Sequence, residues 1–479
     1  MRFSPFELPF DAMLQLILVI VLSSALLITG CAPKEPGEPV GTPEELEGSA
    51  QEFMVLTSEG KYDDARKLFD SKMSKAVSVS QLKSLWEDLL SQGGDWQKLE
   101  DVTFAEESGY RVIYMKALFE KGSVDAKIVF NNDAQIAGLW FGSFVSSEYS
   151  PPSYADQDLF VEKDVVVGEG DWVLPGTLTL PKSASQDNRV PAVVVVHGSG
   201  PLDRDGTIGP NKPYKDLAWG LASRGIAVLR YEKRTKQYQD EFTGGSADAT
   251  NMTINEETID DAISAVVFLK TVDEVDPTKI FIVGHSLGAT VGPKIAQKCG
   301  HISSPASEGG SSIAGLVMMA ATSRNLLDVI IEQVEYLAAL DGNVDADEAQ
   351  NVNEVRSSVE KIKSGQLAEG EFVLGAPKAY WDDLLAYDQV ETTKQLTLPI
   401  LILQGERDYQ VTPTDLDIWK EALQDKSNVS IKVYPDLNHL FMSGLGKSSP
   451  NEYIEPSNVS PEVIKDIAEW IESASATGY

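Results

Sequence analysis

Five residues, Gly284-His285-Ser286-Leu287-Gly288, constrain the fold of this 479-residue chain more than any other segment. They follow a β-rich run at 279–283 and precede a helical stretch at 289–298. Gly-x-Ser-x-Gly between a strand and a helix is typical of a nucleophile elbow, a tight turn that lifts the serine hydroxyl above the edge of a sheet. The pattern therefore predicts an α/β fold with Ser286 as a nucleophile.

Strand-like and helical segments alternate after residue 153, which predicts a parallel sheet. Val194 to Val196 form an unbroken valine run, as expected of a strand that is buried on both faces. Amphipathic helical patterns lie between the strands and at the carboxyl end of the chain. The further strand-like runs are 226–231, 280–283, 313–319, 400–403 and 429–433.

Residues 323–395 form an insertion between two of these strands that is too long for a plain loop. It contains two helical patterns, which predict a helical cap over the active-site edge of the sheet. We interpret its aromatic pair, Tyr380 and Trp381, as packing residues. The apolar positions of the two patterns are Leu327, Ile330, Val334, Ala338 and Val352, Val355, Val359, Ile362.

Asp408 follows the strand at 400–403, and His439 follows the last strand, at 429–433. The order Ser, Asp, His is the order found in α/β-hydrolases. A serine hydroxyl needs an adjacent base, so we expect His439 to remove the proton of Ser286 and Asp408 to orient the imidazole. Glu406 is the alternative acid. The other three histidines are less suitably placed: His197, His285 and His301.

Catalysis by such a serine also needs two backbone N–H groups for the negative oxygen that develops. One is predicted to belong to Leu287, which follows the nucleophile. The other is predicted to belong to Ser199, in the loop His197-Gly198-Ser199-Gly200 after the valine-rich strand. The charged run at 203–205 is interpreted as a surface loop.

Charge and histidine spacing exclude other classes of function. The chain has 40 basic and 73 acidic residues, a net charge of −33, which repels phosphate backbones and argues against a nucleic-acid partner. No two histidines have the spacing of metal ligands, so we expect neither a metal nor a cofactor.

The first part of the chain predicts a separate domain. Helical patterns at 44–57, 62–74 and 81–90 precede strand-like runs at 101–105, 110–119, 123–130 and 134–141. This order predicts a small α+β domain over 50–146. Pro151 and Pro152 mark a break before the α/β domain at 154–479, and the Pro- and Glu-rich residues 32–49 predict a flexible linker.

Residues 1–31 are interpreted as a targeting segment. An apolar run at 13–29 leads into Leu27-Ile28-Thr29-Gly30-Cys31, which resembles the lipobox of bacterial lipoproteins. The resemblance implies a diacylated Cys31 and a protein that is lipid-anchored outside the cytoplasm. An uncleaved membrane-spanning anchor is the alternative, and initiation at Met13 stays open. With Cys31 lipidated, Cys299 has no partner for an intrachain disulfide.

The elbow together with His197-Gly198-Ser199-Gly200-Pro201 and Asp203-Arg204-Asp205-Gly206 resembles the EstD-type carboxylesterases of the α/β-hydrolase superfamily. Residues 50–146 resemble the NTF2-like domain of the DUF3887 type. The resemblance implies hydrolysis of short acyl esters through a Ser286–Asp408–His439 triad. A serine nucleophile argues against dienelactone hydrolase activity, which uses cysteine. A peptidase of the acylaminoacyl or dipeptidyl type, a thioesterase and a non-catalytic ligand-binding lipoprotein remain alternatives, and the oligomeric state stays open.

Overall fold

The computed structural model describes residues 40–107, 110–142, 144–239, 241–242, 246–300 and 313–477. Cys31, the rest of the predicted targeting segment and His301 lie outside these residues. Within them, no helix is both long enough and apolar enough to cross a membrane.

The first described helix agrees with the helical pattern predicted at 44–57 and overlaps the end of the predicted linker. Thr42 caps the first helix through a capping box, in which its hydroxyl accepts the N–H of Glu45 and the Glu45 carboxylate accepts the N–H of Thr42. The prediction of a flexible linker up to Ser49 is therefore wrong from Pro43 onward. The helices of this part are α1 (Pro43–Ser58), α2 (Tyr62–Ala65), α3 (Ser71–Ala76) and α4 (Val79–Gly93), with a 3₁₀ turn at Arg66–Leu68.

The single helix predicted at 62–74 is also wrong, because the chain leaves the helix at Phe69 to pair with the sheet. Phe69 forms an isolated bridge with Ile136, and the N–H of Asp70 donates to the Ile136 carbonyl at 2.9 Å. The Asp70 carboxylate then caps α3 by accepting the N–H groups of Lys72 and Met73.

Five antiparallel strands complete this α+β domain. They are β1 (Trp96–Glu107), β2 (Tyr110–Phe119), β3 (Gly122–Phe130), β4 (Ile136–Phe141) and β5 (Val145–Ser146). The first four pair in chain order, and β5 pairs with β3. Helices and sheet share one core, in which Phe53 and Trp86 from the helices lie among Ile113 and Ile128 from the strands.

Eight strands form the second sheet, in the order β15-β14-β11-β10-β8-β9-β7-β6. Strand β7 is antiparallel to both neighbours, and every other adjacent pair is parallel. This is the predicted α/β-hydrolase architecture. The strands are β6 (Phe160–Val167), β7 (Leu174–Pro181), β8 (Val190–Val196), β9 (Ala227–Tyr231), β10 (Val275–His285), β11 (Gly315–Met319), β14 (Ile400–Gly405) and β15 (Val429–Tyr434).

Helices cover both faces of this sheet. Val194 and Val196 of β8 point into a core with residues of α8 and α9, whereas Val193 and Val195 point into a second core with α5 and α15. The valine run is therefore buried on both faces, as predicted. The helices are α5 (Pro213–Ala222), α6 (Arg234–Gln237), α7 (Ala247–Asn251), α8 (Asp260–Lys270), α9 (Leu287–Lys298), α14 (Pro413–Leu423) and α15 (Pro461–Thr477), with a π turn at Asn255–Ile259 and a 3₁₀ turn at Pro450–Tyr453.

The insertion between β11 and β14 contains both predicted helices and some structure that was not predicted. Its elements are α10 (Leu326–Ala338), α11 (Ala346–Lys363), the hairpin β12 (Phe372–Val373) and β13 (Ala376–Pro377), α12 (Lys378–Leu385) and α13 (Gln389–Gln395). Tyr380 and Trp381 are buried on α12 and act in packing, as predicted. The Trp381 indole N–H donates to the Val373 carbonyl at 2.8 Å.

Candidate active site

Ser286 lies in a strained turn between β10 and α9. Its backbone has φ 53° and ψ −116°, in a region that residues with a side chain rarely adopt. Its N–H donates to the Met319 carbonyl at 2.9 Å, which ties the turn to the neighbouring strand. A Cβ at Gly284 would lie 2.4 Å from the Gly288 carbonyl oxygen, and one at Gly288 would lie 2.4 Å from the Val196 carbonyl oxygen. Both glycines are therefore needed for this geometry.

Asp408 and His439, which follow β14 and β15, meet as a buried pair. The His439 Nδ1 and Asp408 Oδ2 atoms are 2.8 Å apart, and both side chains are almost fully buried. The other carboxylate oxygen accepts the N–H groups of Gln410 and Val411 at 2.8 and 2.9 Å. Because the carboxylate accepts from Nδ1–H, the Nε2 atom of His439 remains free for a second partner.

The two loops that carry this pair are held closely together. A Cβ at Gly405 would lie 2.3 Å from the Leu437 carbonyl oxygen, so only glycine permits this approach. Arg407 donates from Nε to the Gly446 carbonyl at 2.8 Å and forms an ion pair with Glu452. The side chain of Glu406, the alternative acid, is exposed to solvent. Asp408 is thus the carboxylate that reaches His439.

Ser286 and His439 line the same cleft. The cleft encloses about 300 Å³ of space free of atoms, part of it open to solvent. In the part of the chain that the structure describes, no hydrogen bond joins the Ser286 hydroxyl to His439, and such bonds are often long before substrate binds. The lining residues are Gly198, Ser199, Leu202, Gly206, Ile208, Pro213, Tyr214, His285, Ser286, His439 and Leu440.

Two backbone N–H groups at or next to the elbow have no acceptor within the described ranges. Leu287 is the first residue of α9, where N–H groups lack a partner within the helix. A Cβ at Gly198 would lie 3.3 Å from the Ser286 Cβ, so the Gly198-Ser199 loop lies directly against the elbow. Among the described residues, neither the Ser199 N–H nor the Leu287 N–H has an acceptor. Both groups can therefore donate to a bound oxygen.

His285 and Tyr214 join this loop to His439, which the sequence did not indicate. The Gly198 N–H donates to the Tyr214 hydroxyl at 3.0 Å, and that hydroxyl lies 3.1 Å from His285 Nδ1. His285 Nε2 lies 2.9 Å from the His439 carbonyl oxygen. A carbonyl only accepts, so Nε2 carries the hydrogen and Nδ1 accepts from Tyr214. Burial, together with repulsion from His439, lowers the pKa of His285 to about 3, so the ring is neutral.

A buried ion pair contacts the same loop from another side. Lys233 Nζ donates to the Gly198 carbonyl at 2.7 Å and to Glu257 Oε1 at 2.5 Å. The exposed fractions of the two side chains are 2% and 6%. Sequence reasoning missed both residues, although a lysine two residues after a buried strand is a signal for a buried acidic partner.

The charged run at 203–205 stabilises its own loop and does not line the cleft. Arg204 pairs with Glu232 at 2.6 Å, and Asp205 pairs with Arg230 and with Lys212. Asp203 accepts N–H groups of the same loop. The three charges therefore have structural partners.

No described residue of the insertion is among the lining residues of the cleft, and its role as a cap over the active-site edge stays a prediction. The insertion packs beside the site. The Tyr387 hydroxyl donates to the Thr290 carbonyl on α9 at 3.0 Å, and the ring of Tyr336 stacks on that of Tyr409 at 5.0 Å. In the described ranges, no group of three or more His, Cys, Asp or Glu side chains is arranged to hold a metal ion.

Residues 191–444 match the protein family described as serine aminopeptidase, S33. Residues 50–139 match the family described as a protein of unknown function, DUF3887. The chain is 38% identical over 416 residues to esterase EstD of Thermotoga maritima, and the alignment covers 87% of this chain and 92% of that protein.

Solved structures of esterases are similar to this chain at lower sequence identity. An esterase of Pyrobaculum calidifontis is 16% identical, with 66% of this chain and 86% of that chain covered and a TM-score of 0.43. An esterase of Pyrococcus furiosus is 19% identical, with 69% and 97% covered and a TM-score of 0.40.

Proposed function

Because the chain belongs to the α/β-hydrolase family of esterase EstD, and is thus a carboxylic ester hydrolase, we propose that it is a serine carboxylesterase for short acyl esters. Ser286, His439 and Asp408 form its catalytic triad. One observation carries this proposal: the hydrogen-bonded Asp408–His439 pair and the strained Ser286 share one cleft.

The first half-reaction forms an acyl-enzyme. The Ser286 oxygen attacks the ester carbonyl while His439 Nε2 takes its proton. Asp408 holds the imidazole through Nδ1 at 2.8 Å and stabilises the imidazolium that forms. His439 then gives the proton to the departing alcohol, and the bond between the carbonyl carbon and the alcohol oxygen breaks.

The N–H groups of Ser199 and Leu287 stabilise the oxyanion of the tetrahedral intermediate. Both donors lack another acceptor among the described residues, so no existing bond has to break when the charge develops. The amino-terminal end of α9, which spans Leu287–Lys298, adds the positive end of its dipole at the same place.

Water completes the second half-reaction. His439 removes a proton from water, the resulting hydroxide attacks the acyl carbon, and Ser286 leaves with the proton from His439. The cycle needs no group beyond the chain and water.

The lining of the cleft favours an ester over a peptide with a free amino terminus. An aminopeptidase needs a carboxylate to bind the α-ammonium group of its substrate. No aspartate or glutamate is among the lining residues of the described cleft, and most of them are apolar or glycine. An uncharged short acyl group fits this lining better.

The test compares wild type, Ser286→Ala and Ser199→Ala on p-nitrophenyl butyrate and on alanine p-nitroanilide. Ser286→Ala should lower kcat on the ester by at least about 10³-fold, because the nucleophile is lost. Ser199→Ala keeps the backbone donor and is the matched control, with kcat within about fivefold of wild type. Equal ester turnover by Ser286→Ala and wild type would refute the proposal, and turnover of the anilide alone would favour a peptidase.

We further propose that Cys31 carries the lipid that anchors the enzyme outside the cytoplasm. The apolar run at 13–29 and the residues directly before Cys31 support this proposal. Mass spectrometry of the mature amino terminus should find a diacylated Cys31, and Cys31→Ser should lose that modification. An unmodified amino terminus that still contains Met1 would contradict it.

A further inference from the structure

We propose that Lys233 is a positioning residue for the oxyanion hole, with Glu257 as its buried counter-ion. Lys233 holds the Gly198–Ser199 peptide so that the Ser199 N–H points at the reacting carbonyl. The inference deepens the proposed esterase mechanism and rests on it.

The geometry of a single peptide group carries the argument. The Gly198 carbonyl and the Ser199 N–H belong to the same planar trans peptide, so they point in opposite directions. Lys233 Nζ binds that carbonyl at 2.7 Å and thereby fixes the direction of the N–H. The N–H of Gly198 itself donates to the Tyr214 hydroxyl at 3.0 Å. Gly198 is thus held on both sides by side chains.

Lys233 also strengthens the donor that it orients. A cation at the carbonyl oxygen draws electron density from the peptide nitrogen, so the Ser199 N–H becomes more positive. A hydrogen bond from an ionised donor is about twice as strong as a neutral one. The peptide is therefore both oriented and polarised before substrate binds, as stabilisation of an oxyanion requires.

Glu257 offsets the free-energy cost of burying the Lys233 ammonium group. A buried ammonium ion is unfavourable unless it is paired, and Glu257 lies 2.5 Å from Lys233. Glu257 belongs to the π turn Asn255–Ile259, a rare element that often marks functional sites. Burial and the charge of Glu257 raise the pKa of Tyr380 on α12, and Asn255 of the same π turn donates to Asp383 of α12 at 2.9 Å. The insertion therefore contacts the support of the oxyanion loop without lining the cleft.

The adjacent ion pair provides a matched control. Arg234 and Asp261 form a bond of the same kind, with exposed fractions of 9% and 4%, but they do not contact the Gly198–Ser199 peptide. A purely structural role for Lys233 predicts that removal of either ion pair changes kcat by the same factor. A positioning role predicts that they differ in kcat.

The experiment uses two double variants of the full chain, Lys233→Met with Glu257→Gln and Arg234→Met with Asp261→Asn. Removing both charges avoids an unpaired buried ion. The first variant should lower kcat on p-nitrophenyl butyrate about 10- to 100-fold, with KM within about twofold. It should weaken inhibition by butylboronic acid, which forms a tetrahedral adduct with the serine, by a similar factor. The control should change kcat by less than about threefold.

A first double variant with kcat within threefold of wild type would overturn the inference. Equal losses of kcat in both double variants would also overturn it, because the effect would then be structural. If the first double variant does not fold, Lys233→Arg with the same readouts replaces it. This variant keeps a charged donor, so a kcat within about fivefold of wild type supports the inference, and any larger loss overturns it. An active Ser286→Ala would instead refute the triad itself, so the two failures are distinguishable.

Discussion

His285 should make the stability of the hydrolase domain sensitive to acid. It is buried and neutral, with a pKa of about 3 in place of its ordinary 6.5. In the unfolded chain the ring binds a proton below pH 6.5, whereas in the folded chain it does not until about pH 3. The unfolded state thus binds more protons between these values, so stability is fully present above pH 6.5 and is lost as the pH falls toward 3. Between pH 7 and pH 5 the loss is about 2 kcal/mol for this one ring.

His285→Gln isolates this contribution. The glutamine amide offers one donor for the His439 carbonyl and one acceptor for the Tyr214 hydroxyl, but it does not titrate. Other groups with shifted pKa values cancel in the comparison. Examples are His197, lowered to about 3 by burial and by Lys233, and Asp216, raised to about 6 by burial.

The assay is urea unfolding at pH 7 and at pH 5, with the loss of esterase activity reporting on the hydrolase domain. Wild type should lose about 2 kcal/mol more free energy of unfolding between the two pH values than His285→Gln does. Parallel pH dependence of the two proteins would refute the reasoning that His285 is held neutral in the native state.

Two further predictions concern the elbow and the acid. Asp408→Asn should lower kcat on p-nitrophenyl butyrate by about 10³- to 10⁴-fold, because the carboxylate that orients His439 and stabilises its charged form is lost. The control Glu406→Gln should stay within about twofold, and the opposite ranking would make Glu406 the acid. Gly288→Ala should lower the free energy of unfolding by about 2 kcal/mol or more and abolish most activity, because its Cβ would lie 2.4 Å from a backbone oxygen. Gly48 lies inside α1 and a Cβ there would meet no atom within 4 Å, so Gly48→Ala should leave activity unchanged and raise the free energy of unfolding by at most about 1 kcal/mol. Equal effects of the two substitutions would contradict this account.

The residues of the proposed triad could be predicted from the sequence because their signals are local. Ser286 stands between a strand and a helix, and Asp408 and His439 each follow a strand. In a parallel sheet, chain segments that leave the carboxyl ends of strands meet at one edge. Chain order and these short patterns were therefore enough to bring the three side chains together.

The residues that hold the Gly198–Ser199 loop could not be predicted, because tertiary packing determines their partners. Nothing in the sequence near Tyr214 or Lys233 says that both bind the backbone of Gly198, which is distant in the chain. The pairing of Lys233 with Glu257, and not with a neighbouring acid, depends on how the π turn packs against α6, which directly follows Lys233.

Two differences in secondary structure have local causes. Strands β6 and β7 were both missed. Strand β6 lies at the edge of the sheet and most of its side chains are exposed, so its hydrophobic pattern is weak. Strand β7 is buried, but Pro175, Gly176 and Pro181 interrupt its pattern with residues typical of turns. The linker was predicted to extend to Ser49, into the helix predicted at 44–57, although Thr42 followed by Glu45 is a capping box that marks the start of α1.

The central claim is that Ser286 is activated by the pair His439 and Asp408. Labelling with an alkyl fluorophosphonate, followed by mass spectrometry of the digested protein, measures this directly. The account predicts one adduct per chain, on Ser286, and a labelling rate that falls at least about 100-fold in His439→Gln. An adduct on another residue, or a labelling rate that is unchanged without the imidazole, would contradict it.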